Sequence, residues 1–108
     1  MIDNSLIETL NSLNNGSNSE RIRIIMNKIK DLYSKYMPMY KVEQEAGEAI
    51  INDYIKKAII GIEKHAYSYI FMFIYYDALR KLILIGDCDS ELKKNKEAFT
   101  EFNLIDMM

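Results

Sequence analysis

The sequence predicts an all-α protein, a small bundle of four to five helices arranged around a central apolar, aromatic helix. Three observations predict it. Apolar residues recur at three- and four-residue steps along most of the chain. Helix breakers are scarce, with one proline and four scattered glycines in 108 residues, so long uninterrupted segments are available to helices. The longest apolar run, "YSYIFMFIYY" from Tyr67 to Tyr76, continues into Asp77, Ala78, Leu79, Arg80, Lys81 and Leu82 with no turn signal between them.

Taken in order, the first element is a short helix. Ser5 and Glu8 have capping-box spacing, and Leu6, Ile7, Leu10 and Leu13 make one apolar face. "NNGSNS", Asn14 to Ser19, is a loop, because Gly and Asn tolerate positive φ while Ser and Asn side chains compete for helical hydrogen bonds. Ser17 with Glu20, or Ser19 alone, can cap the next helix. That helix is the most clearly amphipathic. Ile22, Ile25, Ile29, Leu32, Tyr33 and Tyr36 form its apolar side, with Arg21, Lys28 and Lys35 at seven-residue spacing on another. Pro38 is expected to end it at Met37 or just before.

From Val42 to Ile85 there is no proline. Val42, Ala46, Ala49, Ile50, Tyr54, Ala58 and Ile62 keep helical periodicity, and Glu45, Glu48, Asn52, Lys56 and Glu63 read as a solvated face. Gly47 inside this pattern marks close packing against a neighbour. A break is expected between Gly61 and Ser68, as two helices or as one bent helix.

The aromatic run that follows can be read as helix or strand. Tyr, Phe and Ile favour pleated structure, but the only partner on offer is "KLILIG", and a two-stranded sheet alone is marginal in water. The helix is preferred, and its near-uniform apolarity makes it a buried element. Gly86 is a stop, Asp87 to Ser90 a turn or cap, and a last helix carries Leu92, Phe99 and Phe102 inward.

One domain over residues 1–108 is the expectation for this length. With 49% hydrophobic and 28% charged residues, the composition is that of a folded protein rather than a disordered one. The net charge of −2 conceals a surplus of four positive charges over residues 20–41 and four negative over 42–54. A single cysteine, Cys88, permits no internal disulfide, and Met1 to Ser5 lacks a basic leader, so a cytoplasmic location is expected. The apolar run is interrupted by charge after about ten residues, short of the ~20 a spanning helix needs, so no membrane insertion is expected. The bias to Ile, Lys, Asn and Tyr suggests an AT-rich genome, viral or low-GC bacterial.

Catalytic chemistry has no seed. His65 is the only histidine, which excludes histidine-pair metal sites within one chain and reads as a surface or helix-junction residue. Nothing around Cys88 would generate a thiolate for it to serve. "DCDSE", Asp87 to Glu91, has carboxylates at alternate positions, but Leu92 and Ala98 stand where a calcium loop requires Gly and Glu. Glu45 and Glu48, one turn apart, lack the Glu-x-x-His partners of carboxylate metal bundles. No cofactor and no enzymatic activity are expected.

Binding is the class that remains. Tyr67, Tyr69, Phe71, Phe73, Tyr75 and Tyr76 are candidates for a protein interface, since aromatic and Met side chains are enriched there. A protein partner and self-association are expected. The alternative is a nucleic-acid contact along helix 20–36 through Arg21, Arg23, Lys28 and Lys35, with Tyr33, Tyr36 and Tyr40 to stack bases. In size, helicity and composition the chain is similar to small immunity factors against bacteriocins, phage-encoded inhibitors of host defence and helical subunits of RNA-guided complexes. The similarity is one of layout and transfers no residue role.

Overall fold

The computed structural model describes residues 1–14, 16, 18–66 and 69–86, with the side chain of Tyr69 excepted. Tyr67, Cys88, the "DCDSE" stretch and the expected last helix with Leu92, Phe99 and Phe102 lie outside the described residues. Within them the protein is all-α: α1 (Asn4–Ser12), α2 (Ser19–Asp31), a π-helical turn (Leu32–Tyr36), α3 (Met37–Met39), α4 (Gln44–Glu63) and α5 (Tyr69–Ile85). No helix among the described residues is long and apolar enough to cross a membrane.

The cap of α1 is Asp3, not Ser5. The Asp3 carboxylate accepts from the Ser5 backbone N–H at 2.9 Å and from the Ser5 hydroxyl at 2.6 Å. Those two bonds, the hydroxyl first, hold its carboxyl below the ordinary range. Of the two serines expected to cap α2, Ser17 lies outside the described residues and Ser19 is not the cap. Asn18 occupies the N-cap without a side-chain cap bond, and Ser19 is already helical, its hydroxyl donating to Gly16 O at 3.3 Å.

Pro38 does not end the second helix. The chain stays helical from Ser19 through Met39, because a π-helical turn precedes the proline and Met37 N–H donates to Leu32 O, five residues back. The wider turn meets Pro38, which lacks an N–H to donate, without a regular α-helical ladder. It also re-phases the helix. Buried positions step Ile22, Ile25, Ile29, Leu32 and then Met37, so Met37 takes the core position that α-periodicity assigns to Tyr36, which is half-buried.

Two reversals use the same device. After α3, Lys41 has φ 52°, its N–H donates to Pro38 O at 3.2 Å, and Val42 N–H donates to Met37 O at 3.0 Å. After α4, His65 has φ 54°, its N–H donates to Ile62 O at 3.1 Å, and Ala66 N–H donates to Gly61 O at 2.8 Å. Each pair of bonds is the six-to-one and five-to-two pattern of a Schellman cap, with Lys or His in the left-handed position where Gly is usual. His65 is therefore an exposed helix-junction residue.

Because α4 ends there, residues 42–85 form two helices, not one bent helix. They run antiparallel: Phe71 lies by Gly61, Asp77 by Lys57 and Lys81 by Asp53. From α4, Ile51, Tyr54, Ile55, Ala58, Ile59 and Ile62 are buried; α5 adds Tyr75, Ala78, Leu79, Leu82 and Ile83. Leu10 of α1 and the isoleucine row of α2 close the core. Each fully buried Leu or Ile side chain contributes about 1.5–3 kcal/mol.

Two glycines set the distances at which the 37–42 turn is held. A Cβ on Gly47 would stand 2.7 Å from Met37 Cε and 3.0 Å from Val42 Cγ1, so the close packing expected at this position is present. A Cβ on Gly86 would stand 2.3 Å from Tyr40 O. The turn is thus pressed between the start of α4 and the end of α5.

Candidate interaction surface

The aromatic run is helical from Tyr69 onward. With about 100° of turn per residue, Tyr75, Ala78, Leu79, Leu82 and Ile83 share one arc, and all are buried. Tyr75 meets the Tyr54 ring edge-on with centroids 6.4 Å apart and the Tyr76 ring at 5.4 Å. Lys28 lies over the Tyr75 ring at 4.2 Å. The opposite arc takes Ile70, Phe73, Asp77, Arg80, Lys81 and Leu84.

That outer arc is the open side of the helix. Ile70 is 37% exposed and Leu84 58%; Ile85 at 49% and, on α4, Ile60 at 48% are exposed as well, and Met72, 37% exposed, lies on the arc of Leu79 and Ile83 near the start of the helix. Between the apolar ends lies a charged waist. Asp77 is reached by Arg80 at 3.0 Å, Lys81 at 3.1 Å and Lys57 at 3.5 Å, while Asp53 pairs with Lys57 at 3.0 Å and Lys81 at 3.7 Å. Partial burial acts to raise the Asp77 carboxyl, but the Lys81, Lys57 and Arg80 cations outweigh it and hold it below the ordinary range.

The six aromatic candidates divide. Tyr75 is core; Phe71, Phe73 and Tyr76 are half-buried, with Phe71 standing against Gly61. Tyr67 and the side chain of Tyr69 fall outside the described residues. The exposed apolar area comes instead from aliphatic neighbours, Ile70, Met72 and Leu84, which composition alone does not single out from the rings around them.

The basic candidates are not a free stripe. Arg23 pairs with Glu20 at 3.4 Å, Lys28 covers Tyr75, Lys35 lies over the Tyr36 ring at 5.2 Å, and Arg21 is half-buried. Tyr36 and Tyr40 stack with centroids 6.1 Å apart and planes 8° from parallel.

A second feature overturns an expectation. Glu48, expected on a solvated face, is only 4% exposed. Its Oε1 accepts from the Tyr33 hydroxyl and from Gln44 Nε2 at 3.0 Å, and its Oε2 meets the Met1 ammonium. Asn52, one turn on, fastens the same arm: its Oδ1 accepts from Asp3 N–H at 2.9 Å and its Nδ2 donates to Met1 O at 3.2 Å. Burial pushes the Tyr33 phenol up, so it remains a donor at neutral pH. Tyr33 and Gln44 also line an open groove of about 310 Å³ with Met37, Pro38, Lys41 and Val42. No sequence motif signals this cluster; it exists because the π-helical turn and the N-terminal arm both meet α4 at Glu48.

No protein-family model, curated protein or solved structure matches this chain.

Proposed function

We propose that the protein is a non-catalytic binding module that recognises another macromolecule through the outer face of the α4–α5 hairpin. The observation that carries this reading is the exposure of Ile60 on α4 and of Ile70, Leu84 and Ile85 on α5, with Ile70 and Leu84 on the same arc as the half-buried ring of Phe73. Apolar side chains grouped on one side of a helix pair mark a contact surface more strongly than the same residues scattered singly. The charged waist supplies specificity, because a wrong partner would leave those ions unmatched. An inhibitor or accessory protein acts through a surface of this kind.

A nucleic-acid reading has one observation in its favour, the parallel Tyr36–Tyr40 stack beside Lys35. One experiment separates the two. The tagged protein is used to isolate partners from its native host at about 0.1 M and about 0.5 M salt. Association through the hairpin survives the higher salt and is lost in Leu84→Glu. Association through phosphate contacts falls steeply with salt and is lost in the Lys28→Glu, Lys35→Glu double variant. Retention by Leu84→Glu of whatever the unmodified protein binds would overturn the hairpin reading.

A further inference from the structure

We infer that Glu48 and Asn52 of α4 form a binding site for a free polypeptide amino terminus, one that accepts an α-ammonium and rejects the same nitrogen once it is acylated. In this chain Met1 fills it. The site is separate from the hairpin face, since Glu48 and Ile60 stand about 18 Å apart along the axis of α4.

The N-terminal arm is read through its main chain. Met1 presents its ammonium to Glu48 Oε2, its carbonyl accepts from Asn52 Nδ2 at 3.2 Å, and the N–H of Asp3 donates to Asn52 Oδ1 at 2.9 Å. One residue of a parallel neighbouring strand would make the same two bonds, to the carbonyl before and the N–H after the residue it faces, so the Asn52 amide stands in for a paired strand. The side chains alternate to match. Met1 is 90% exposed, Ile2 is half-buried against the core, and Asp3 is exposed. The first side chain makes no part of the contact, so the site selects on the amino group and not on methionine.

Charge makes that amino group necessary. Glu48 is nine-tenths buried and more, and a carboxylate taken that far out of water is tolerated where a cation and hydrogen-bond donors meet it. The Tyr33 hydroxyl and Gln44 Nε2 donate to its Oε1 but are neutral. The ammonium brings positive charge to its Oε2. A formyl or acetyl group turns the nitrogen into an amide with a single N–H and no charge, and sets a carbonyl oxygen beside the carboxylate. Residues added before Met1 do the same to it. Charge-assisted bonds are roughly twice as strong as neutral ones, and losing one lowers the docking equilibrium of the arm by about tenfold or more.

Amide hydrogen exchange on the full chain tests the inference. The protein is prepared with Met1 free, Nα-formylated and Nα-acetylated, and exchange of the Asp3 N–H, which is protected while the arm is seated on Asn52, is followed by NMR and normalised to its intrinsic rate. The free form protects it. Both acylated forms lose about tenfold or more of that protection, while the amides of Ile25 and Ile55, deep in α2 and α4, exchange as in the free form. Glu48→Gln with a free Met1 exchanges Asp3 as fast as the acylated parent, and acylating this variant changes nothing further, because the charge it removes no longer has a counterpart.

Equal protection of Asp3 in the free and acylated forms overturns the site, and that comparison needs no substitution, so it holds even if Glu48→Gln fails to fold. Acylation that lowers protection as much in Glu48→Gln as in the parent overturns the selection of an ammonium by the carboxylate. The hairpin face stands or falls separately, on Leu84→Glu.

Discussion

Replacing Glu48 measures how firmly the first half of the chain is tied to α4. In Glu48→Ala the Tyr33 hydroxyl, the Gln44 amide and the Met1 ammonium all lose their acceptor. A hydrogen bond to a charged group is worth about 1.5–3 kcal/mol, and a neutral one about 1 kcal/mol. Tyr33 and Gln44 border an open groove and Met1 is exposed, so water recovers part of each contact. Taking about 1 kcal/mol for each of the three gives a loss near 3 kcal/mol, against a total stability of about 5–15 kcal/mol for a domain. In a chain of this size that is a fall in melting temperature of roughly 10–20 °C.

Glu48→Gln separates charge from shape. It keeps an acceptor for Tyr33 and loses the ion pair, and is expected to lose about 1–2 kcal/mol. Tyr33→Phe is expected to lose about 1 kcal/mol and to be non-additive with Glu48→Gln, because the two side chains share one bond. Urea unfolding followed by far-ultraviolet circular dichroism puts the three single variants and the Glu48→Gln, Tyr33→Phe double variant on one scale. If Glu48→Ala costs less than about 0.5 kcal/mol, the carboxylate is a hydrated surface group, and its role as the tie between Tyr33, Gln44 and the N-terminal arm is refuted.

Three further outcomes follow from the same contacts. His65→Gly removes the steric conflict of a side chain at positive φ in the cap of α4 and should stabilise the protein by roughly 1 kcal/mol; a lower melting temperature would show that the cap is not formed as described. Gly86→Ala should destabilise by about 1–3 kcal/mol, since its Cβ would stand 2.3 Å from a backbone oxygen of the 37–42 turn, and an unchanged urea midpoint would mean that the turn is not seated there. Burial pushes the Tyr54 and Tyr75 phenols far above their ordinary range. Their contribution to stability is therefore intact below about pH 10, the unfolded value, and declines as the pH rises beyond it toward the folded values. Ultraviolet titration should show these two tyrosines ionising only with unfolding, and their early ionisation in a folded chain would contradict the burial.

What the sequence determined by itself was the helical character of the chain and most of its inward faces. Ile22, Ile25, Ile29 and Leu32 announce a buried row, and Gly47 its close contact, because neighbours three and four residues apart share a face whatever surrounds the helix. The aromatic run was legible as helix because its continuation through Leu82 suits that period and no second strand accompanies it.

Only the tertiary structure decided which borderline residues lie inside and how the chain turns. Glu48 has the local pattern of a solvated residue, and it is buried because Tyr33, Gln44 and the N-terminal arm close over it. Lys41 and His65 take left-handed conformations that their side chains disfavour, since reversals between packed helices impose a backbone that no local preference requests. The π-helical turn re-phases the helix so that Met37 reaches the core. In each case the energy that selects the arrangement comes from residues remote in sequence, and a local pattern cannot carry it.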